Sequence, residues 1–377
     1  MKKVLIFIES LAGGGAEKAL VNLIRALDKN KYDITVMTVT DGDVYQEAVS
    51  AECRYQSFLH TEDYHAGGLS KLLFWLKIKY IYNAPITDVY RKYIHDKYDI
   101  EIAFAEGFAT KLIAASNNEA SKKIAWVHID VLKNSYADKS YKDINEQISS
   151  YRKFKKIVCV SDTVKESFEK KYALHSNVKV LHNLLDYEEI ETKAIEIPAV
   201  AKEGTVQFIT VGRLEAQKGY SRLLKCLSEL AAEGLEYSLW IVGGGSQEQE
   251  LQAFIHDNHL EDKIRLLGFR TNPYKYIKQA DAFVCSSYAE GYSTAAIESL
   301  LLNTPVLTVE CSGMRELFSG HSFGEIVPND DQALKDMLEQ AIRHPEKLSG
   351  YREELMKETD KSRLLGDLEE IGRVLDE

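Results

Sequence analysis

Two glutamates separated by seven residues, Glu290 and Glu298, lie in the segment whose residue types point most clearly to chemistry. Gly291 permits a sharp turn between them, and Ser293 or Thr294 can cap the helix that would carry Glu298. The backbone N–H groups that this turn would direct at a cleft belong to Tyr292, Ser293 and Thr294. Carboxylates accept hydrogen bonds from neighbouring hydroxyl groups, so one carboxylate before the helix and one inside it predict a site for a hydroxyl-rich ligand.

A metal site and plain surface charge are the two other interpretations of these glutamates. A metal site lacks completing ligands, because no His or Asp accompanies the carboxylates in this segment. Surface charge is the weaker interpretation for Glu298, since this residue falls within the apolar run 295–302, where an unpaired carboxylate is costly. We therefore predict ligand binding here, with no metal and no cofactor.

An arginine and a lysine five residues apart, Arg213 and Lys218, follow the apolar run 206–211, which we predict to be a strand. Arg binds phosphate through two parallel hydrogen bonds and Lys acts as a point charge, so the pair suits a diphosphate. The alternative is two solvated surface cations. Open α/β sheets bind ligands at the carboxyl ends of their strands, and this position favours the diphosphate.

Two glycine-rich loops, 13–15 and 243–245, each separate a predicted strand from a predicted helix. Gly14, Gly15 and Gly243 would allow a ligand to approach the backbone, and the helix N-terminus would favour a phosphate. Both loops lack the third glycine of the dinucleotide-binding pattern Gly-x-Gly-x-x-Gly, which argues against a nicotinamide-dependent dehydrogenase. Taken alone, each loop is explained equally well as a structural turn.

Basic and aromatic residues are interleaved over residues 71–97, where six cations face only Asp88 and Asp96. The cations are Lys71, Lys77, Lys79, Arg91, Lys92 and Lys97. A basic, aromatic helix is typical of a membrane-surface face, and we expect residues 71–97 to contact an anionic membrane surface. A core-facing helix with solvated lysines is an equally good alternative.

The overall composition excludes several classes of protein. A chain of 377 residues with 45% hydrophobic content suits two folded domains and excludes disorder and collagen. No run of 18 apolar residues is present, so no membrane-spanning helix is expected. The five cysteines show no paired spacing, which fits buried thiols in a reducing cytoplasm.

Negative charge is concentrated in the second half of the chain. The net charge is -11 in total, of which residues 1–190 contribute +1 and residues 191–377 contribute -12. This balance argues against nucleic-acid binding. It would also allow only the first half to approach an anionic surface.

The elements that must position these residues alternate between short β-rich apolar runs and longer amphipathic stretches, and this order appears twice. Such alternation predicts an α/β chain with parallel sheets and right-handed crossovers. We predict two Rossmann-like domains, residues 1–190 and 191–360, with a boundary in the charged stretch 187–204. The segment 361–377 has apolar residues at helical spacing and is predicted to be an amphipathic helix.

These motifs together resemble those of the retaining glycosyltransferases of family 4. The matching segments are Gly-Gly-Gly-Ala-Glu at 13–17, Gly-Arg-Leu-x-x-x-Lys-Gly at 212–219, Gly-Gly-Gly at 243–245, and the glutamates at 290 and 298. The resemblance spans nearly the whole chain. It implies the GT-B fold, in which two Rossmann-like domains face a central cleft and the last helix, here 361–377, packs back onto the first domain.

The resemblance also implies a role for each candidate residue of the second domain. Arg213 and Lys218 would hold the diphosphate of a nucleotide-sugar donor, helped by the N–H groups after Gly291. Glu298 would bind the ribose hydroxyls of the donor. Glu290 would lie beside the transferred sugar.

Three residues of the first domain would complete the site that the resemblance implies. Gly14 and Gly15 would close the cleft, and His128 matches the strand-end histidine that faces the donor sugar in this family. Without the resemblance, a lone histidine is more often structural. The chain departs from the family at Ala216-Gln217, and it has Tyr-Ser-Thr after Gly291 rather than Phe-Gly-Leu, which leaves the donor sugar open.

The function implied by the resemblance is metal-independent transfer of a hexosyl unit with retention of anomeric configuration. We expect a UDP-linked donor and a glycan or lipid-linked acceptor of surface-polysaccharide synthesis. We also expect a cytoplasmic protein, peripheral on the inner membrane face. The alternative is a non-catalytic, nucleotide-sugar-binding subunit of a glycosyltransferase complex, which would keep Arg213, Lys218 and Glu298 without needing His128 or Glu290.

Overall fold

The computed structural model of the chain describes residues 1–198, 200, 206–358 and 360–377. Part of the predicted boundary stretch, residues 199 and 201–204, lies outside the described residues. The described part of the chain divides into two compact units. Unit 1 comprises residues 1–184 with 366–377, and unit 2 comprises residues 185–365.

Strands and helices alternate along the chain. Within the described residues the strands are β1 (Lys2–Phe7), β2 (Tyr32–Thr40), β3 (Arg54–Leu59), β4 (Ile100–Ala103), β5 (Lys122–Val127), β6 (Lys156–Cys159), β7 (Val178–Val180), β8 (Gln207–Val211), β9 (Ser238–Val242), β10 (Ile264–Gly268), β11 (Ala282–Cys285), β12 (Val306–Val309) and β13 (Gly324–Val327).

The helices follow the strands in nearly every crossover. They are α1 (Gly15–Ala26), α2 (Gln46–Glu52), α3 (Thr61–His65), α4 (Gly68–Asn83), α5 (Ile86–Tyr93), α6 (Phe108–Ala114), α7 (Ile144–Tyr151), α8 (Asp162–Tyr172), α9 (Tyr187–Ala194), α10 (Tyr220–Ala232), α11 (Glu248–Asp257), α12 (Tyr274–Gln279), α13 (Thr294–Leu301), α14 (Met314–Phe318), α15 (Asp331–Arg343), α16 (Pro345–Lys357) and α17 (Leu368–Asp376). Short 3-10 helices occupy Tyr136–Ser140, Ala216–Lys218 and Ser362–Leu364.

The core of unit 1 is a parallel sheet with the strand order β3-β2-β1-β4-β5-β6-β7. Its central strands are apolar on both faces, as expected for a sheet covered by helices on both sides. Residues 4–7 of β1, for example, are all fully buried. The strand order changes direction between β1 and β4, and ligands bind outside the carboxyl ends of strands at such a switch point.

Unit 2 contains a second parallel sheet, with the strand order β10-β9-β8-β11-β12-β13. Helices α10 and α15 pack together over this sheet and share its apolar core. The order changes direction between β8 and β11. The loops that carry Arg213, Lys218 and Glu290 follow these two strands, so the topology places the predicted donor-binding residues at the switch point. Two Rossmann-like α/β units are present, as the alternation of elements predicts.

Sequence periodicity did not predict β3, β7 and β13. All three lie at sheet edges, where one side of the strand lacks a neighbour. Most of their residues are only half-buried, in contrast to the buried central strands. These three strands therefore lack the continuous apolar run by which the central strands can be recognised.

The division between the units falls after Leu184, six residues before the predicted boundary. Helix α9 lies in unit 2, where it packs against α12. The side-chain amide of Asn272 donates to the Lys193 carbonyl at 2.9 Å, which ties the end of α9 to the loop before α12.

The terminal helix α17 is shorter than the helix predicted over residues 361–377. Gly366 adopts φ +78°, a conformation that favours glycine, and separates a 3-10 turn from α17. Helix α17 packs within unit 1, where the Asp376 carboxylate accepts hydrogen bonds from Lys2 and Tyr32 at 3.0 Å each.

Candidate active site

The loops that follow β8 and β9 pack backbone against backbone. Gly243 adopts φ +155°, and a Cβ atom there would lie 1.9 Å from the Gly212 carbonyl oxygen. The Leu214 N–H donates to the Gly244 carbonyl at 2.9 Å. A Cβ at Gly245 would come within 2.6 Å of the Leu214 nitrogen. Chain packing therefore requires glycine at 243, and contact with a ligand is not needed to explain this residue.

Lys218 and Glu290 form a direct ion pair at the switch point of unit 2. The Lys218 Nζ lies 2.7 Å from the Glu290 Oε1, and the Ser287 hydroxyl lies 2.6 Å from the same oxygen. The side chains of Lys218 and Glu290 are only 26% and 10% exposed. Sequence spacing placed both residues near a ligand but did not predict that they would neutralise each other.

The two residues that are predicted to bind the diphosphate, Lys218 and Arg213, differ in their surroundings. Burial opposes the charge of Lys218, but the nearby Glu290 carboxylate outweighs it and raises the pKa of Lys218 above its usual value. Arg213 is exposed, and within the described residues its side chain has neither a hydrogen bond nor an ion pair. Arg213 is thus an exposed cation beside a cation that is already paired.

Arg222, which the sequence motifs did not single out, holds this site in place together with Gly219, the last residue of the motif 212–219. Arg222, which is buried, donates from Nε and Nη2 to the Ser286 carbonyl at 2.8 and 2.5 Å. Its guanidinium also lies 3.9 Å from the centre of the Tyr288 ring. A Cβ at Gly219 would lie 2.1 Å from the same carbonyl, so the turn after Lys218 packs tightly onto the end of β11. The sequence offered one sign of this role, because Arg222 lies among the apolar residues of α10, where a cation needs a partner.

Helix α13 begins at the N-cap residue Ser293, whose hydroxyl accepts a hydrogen bond from the Ala296 N–H at 3.4 Å. Tyr292 is buried and Thr294 is half-buried. Gly291 lies against Gly313, because a Cβ at Gly313 would approach the Gly291 carbonyl to 2.8 Å. Of the two predicted capping residues, Ser293 is therefore the one that caps α13. The helix begins at Thr294, shortly after Glu290.

Glu298 is 2% exposed on α13. Its position within an apolar run gave the correct expectation that this carboxylate is not a surface charge. Four residues after Thr294, it lies one helical turn from the start of α13.

In unit 1, His128 lies directly after β5. Its ring lies 4.9 Å from the Phe104 ring and hydrogen-bonds the Phe104 backbone. Burial lowers the pKa of His128 to about 3, and the Phe104 bond only partly opposes this. Among the described residues the buried Nε2 has no hydrogen-bond partner. The imidazole is therefore neutral, and its unpartnered nitrogen can bind a polar group of a ligand.

The backbone at His128 is held by a buried carboxylate. Glu106 accepts hydrogen bonds through Oε1 from the N–H groups of His128 and Ile129, the latter at 2.9 Å. Glu106 is 4% exposed, and burial raises its pKa to about 7, although the backbone hydrogen bonds act in the opposite direction. Glu106 positions the strand end that carries His128.

Glu106 should make the stability of the protein depend on pH. The folded chain keeps a proton on Glu106 that the unfolded chain loses between pH 4.5 and about 7. The contribution of Glu106 to the free energy of unfolding should therefore fall as pH rises through this window, by about 3 kcal/mol at most. Glu106→Gln cannot ionise, so its stability should fall less over the same window. Urea unfolding of both proteins at about pH 5 and about pH 7.5 measures the difference.

His128 also affects stability in this window, whereas three other neighbours of Glu106 do not. Burial raises the pKa of Cys159, Tyr151 and Tyr172, so all three stay neutral. His128 is neutral in the folded chain but gains a proton below about pH 6.5 in the unfolded chain, and this opposing trend is shared by wild type and Glu106→Gln. An equal change in stability from pH 5 to pH 7.5 in wild type and Glu106→Gln would show that Glu106 is already ionised in the folded chain at pH 5.

The first glycine loop has a carboxylate of its own. Gly14 is the N-cap of α1, and a Cβ there would lie 2.3 Å from Glu17 Oε2. Glu17, at the third helical position, thus folds back toward the helix start, where a carboxylate is favourable. Gly15 is exposed. The contact at Gly14 is with the flexible end of the Glu17 side chain, so it does not by itself require a glycine there.

Residues 71–97 do not form the single basic helix that we expected, because they are divided between helix α4, helix α5 and the residues after α5. Only Phe74 and Ile81 of α4 are buried. Its exposed large apolar residues are Leu69, Leu72, Leu73, Trp75, Leu76 and Tyr82. Lys71, Lys77 and Lys79 are not buried either. The alternative of a core-facing helix does not fit this exposure.

The described residues contain no group of three or more His, Cys, Asp or Glu side chains that could hold a metal ion. Within the same residues, no helix combines the length and the apolar composition needed to cross a membrane.

Known families and relatives match the chain over both units. Residues 13–189 match the model of Glycosyltransferase Family 4, and residues 192–358 match that of Glycosyl transferases group 1. The chain is 30% identical over 351 residues to a transferase of Campylobacter jejuni, N-acetylgalactosamine-N,N'-diacetylbacillosaminyl-diphospho-undecaprenol 4-alpha-N-acetylgalactosaminyltransferase. That match covers 90% of this chain and 91% of the relative. It is also 22% identical over 338 residues to the lipopolysaccharide 1,6-galactosyltransferase of Salmonella typhimurium, with 86% and 85% coverage.

Solved structures share the fold. HepE of Anabaena in complex with UDP and glucose superposes with a TM-score of 0.73 at 17% identity, covering 100% of this chain and 99% of that one. TarM of Staphylococcus aureus, in complex with UDP among other ligands, gives a TM-score of 0.71 at 13% identity, with 100% coverage of both chains. The family matches, the full-length relative and the two Rossmann-like units show that this chain belongs to the family 4 glycosyltransferases of the GT-B fold.

Proposed function

We propose that this glycosyltransferase moves a hexosyl unit from a UDP-sugar, with retention of configuration, to a glycan or lipid-linked acceptor of surface-polysaccharide synthesis. The observation that carries the proposal is the Lys218–Glu290 pair at the switch point of unit 2, next to the start of α13. A cation and a carboxylate in contact, beside a helix N-terminus, suit a ligand that is a diphosphate at one end and a sugar at the other.

Arg213, Lys218 and the N–H groups at residues 291–294 bind the donor diphosphate in this proposal. Arg213 is exposed and Lys218 stays charged, so both can donate hydrogen bonds to phosphate oxygens. Glu298 takes the ribose hydroxyls, and Gly243 lets the backbone approach the nucleotide. In unit 1, His128 and the loop at Gly14 and Gly15 serve the sugar end.

The reaction breaks the bond between the anomeric carbon and the diphosphate oxygen, and the diphosphate leaves with the electron pair. The acceptor hydroxyl forms the new bond on the same face of the sugar, and its proton passes to the departing phosphate. Fixed cations and helix N–H groups stabilise the leaving charge. Because burial keeps His128 neutral, its Nε2 acts as a hydrogen-bond partner of the sugar rather than as a cation.

The names of relatives support the donor and acceptor classes. The Campylobacter jejuni relative acts on a diphospho-undecaprenol substrate, and the Salmonella typhimurium relative is a lipopolysaccharide galactosyltransferase. HepE was solved with UDP and glucose. We therefore place the reaction on the cytoplasmic side of the membrane, with a lipid-linked or polysaccharide acceptor.

A thermal-shift panel of nucleotide sugars tests the proposal. The true donor at 100 times its dissociation constant should stabilise the protein by about 2.7 kcal/mol. UDP-sugars should give the largest shift, and GDP- and CDP-sugars little. Release of UDP from the selected donor should then accelerate with a lipid-linked glycan acceptor. Binding without any turnover would favour the alternative of a non-catalytic nucleotide-sugar-binding subunit. No shift with any nucleotide sugar would contradict the proposal.

We expect the transfer to be independent of divalent metal ions. The side chains of Arg213 and Lys218, with the N–H groups at the start of α13, supply the positive charge that the leaving diphosphate needs. Turnover should therefore be the same with EDTA and with added Mg²⁺ or Mn²⁺. Complete loss of activity in EDTA, restored by either metal, would refute this expectation.

We expect α4 to bind an anionic membrane surface. Its exposed apolar side chains can enter the interface, and each exposed lysine contributes about 1 kcal/mol near anionic lipid. Changing Lys71, Lys77 and Lys79 to Glu should weaken binding to phosphatidylserine vesicles by about a hundredfold or more. Wild-type binding should fall steeply with salt. Co-sedimentation at low and high salt measures both effects.

A matched control changes three lysines elsewhere in unit 1 that are not buried, Lys139, Lys142 and Lys170, to Glu. This variant has the same net charge and should sediment like wild type. Equal loss of vesicle binding in both triple variants would show that the effect comes from net charge and not from α4. Loss of UDP binding in the α4 variant would show that the helix supports the fold instead.

A further inference from the structure

The carboxyl end of β1 carries a side-chain cluster that the donor site does not use. The Tyr82 hydroxyl donates to Glu9 Oε1 at 3.2 Å, and the Tyr136 hydroxyl donates to Glu9 Oε2 at 3.1 Å. Glu9 is half-buried, whereas Tyr82 and Tyr136 are 49% and 51% exposed. One carboxylate is thus fixed between two half-exposed phenol rings.

Three separate segments of unit 1 meet at this cluster. Glu9 follows β1, Tyr82 lies in the last turn of α4, and Tyr136 begins the 3-10 helix in the loop that follows β5 and His128. The cluster therefore lies where the sheet order reverses between β1 and β4, the position at which open α/β sheets bind ligands. The main chain of Glu9 is fixed as well, because its carbonyl accepts from the Val39 N–H at 3.1 Å.

The chemistry of the cluster selects a class of ligand. Each carboxylate oxygen accepts one tyrosine hydroxyl and keeps capacity for a second donor, so hydroxyl or amide N–H groups of a ligand can bind both oxygens. The half-exposed rings offer apolar faces beside this polar group, a combination typical of small-molecule sites. A fixed negative charge repels phosphate and acidic sugars. An uncharged pyranose meets all three conditions.

We propose that Glu9, Tyr82 and Tyr136 form a subsite for an uncharged pyranose of the acceptor glycan. The proposal rests on the proposed function, which assigns the diphosphate of the donor to unit 2 and the donor sugar to His128 and the loop at Gly14 and Gly15. The rest of unit 1 is then left for the acceptor. Tyr82 belongs to α4, the helix whose exposed apolar residues we expect at the membrane surface. A sugar bound at Tyr82 would accordingly lie close to the lipid end of a lipid-linked acceptor.

Single-atom changes test the subsite. Tyr82→Phe and Tyr136→Phe remove one hydroxyl each, and Glu9→Gln removes the charge while keeping the shape. Saturation-transfer NMR with methyl α-N-acetylgalactosaminide and methyl α-glucoside, in the absence of nucleotide, should detect binding to wild type. Each variant should weaken the binding of the preferred glycoside by about tenfold or more. Tyr80→Phe, the same change two residues earlier on α4, should bind like wild type.

Two further readouts distinguish a sugar subsite from a cluster that only holds loops together. UDP affinity should be unchanged in all variants. If wild type itself binds no UDP, this result refutes the proposed function and not the subsite. In turnover assays the KM for the acceptor should rise about tenfold while the KM for the donor stays constant. The subsite is refuted if wild type binds neither glycoside. It is also refuted if the variants melt at a lower temperature but bind the glycoside unchanged, since the cluster would then have only a structural role.

Discussion

Replacing Lys218 with Ala should reduce kcat/KM by about a hundredfold to a thousandfold, the effect typical of removing one group that stabilises developing charge. Arg213→Ala should lose most activity as well. Lys218 faces the switch point of unit 2 and stays charged beside Glu290. Arg213 is an exposed cation on the preceding turn. In the proposed site both charges stabilise the leaving diphosphate, so the loss should appear in turnover more than in donor affinity.

Lys263→Ala provides the matched control for Lys218→Ala. Lys263 forms an ion pair of the same 2.7 Å length with Glu236 in unit 2, and it is 23% exposed. Its removal should leave turnover and UDP affinity unchanged. Steady-state kinetics with the donor selected by thermal shift, together with melting curves, measure the outcome. Wild-type turnover in Lys218→Ala or Arg213→Ala would remove that residue from the site.

Glu290→Gln should separate binding from catalysis. In the free protein, Glu290 neutralises Lys218 across 2.7 Å. Glutamine keeps the shape but not the charge, so the Lys218 ammonium becomes more available to a diphosphate and UDP should bind as tightly as to wild type or more tightly. Turnover should still fall by about a hundredfold or more, because in the proposed site no carboxylate would then remain beside the sugar as positive charge develops.

Glu236→Gln breaks the comparable ion pair with Lys263 and should change neither quantity. Calorimetric titration of UDP and the rate of UDP release from the donor give the two readouts. If Glu290→Gln weakens UDP binding as much as it slows turnover, Glu290 is a structural anchor of Lys218 rather than a group that serves the reaction.

Much of the architecture follows from sequence pattern alone. Both parallel sheets were predicted from alternating strands and helices, because central strands such as β1 are continuous apolar runs. The edge strands β3, β7 and β13 escaped prediction because they are only half-buried. The extent of the terminal helix depended on one backbone angle, at Gly366, which residue spacing does not reveal.

The place of the proposed donor-side residues at strand ends could be predicted from the sequence, but their partners could not. Spacing placed Lys218 and Glu290 in separate loops 72 residues apart, and only the fold brings them to 2.7 Å. The same holds for Arg222, whose role depends on a carbonyl at the end of β11. In unit 1, only the family resemblance indicated His128, and its support by Glu106 requires knowing that β4 pairs with β5.

The switch point of unit 2 is proposed to hold the diphosphate of the donor, and every other assignment in the donor site depends on this one. A crystal structure of the protein soaked with UDP tests it most directly. We predict diphosphate oxygens within about 3 Å of the side-chain nitrogens of Arg213 and Lys218 and of N–H groups at the start of α13. UDP bound elsewhere, with Arg213 and Lys218 free of phosphate, would contradict the proposed site.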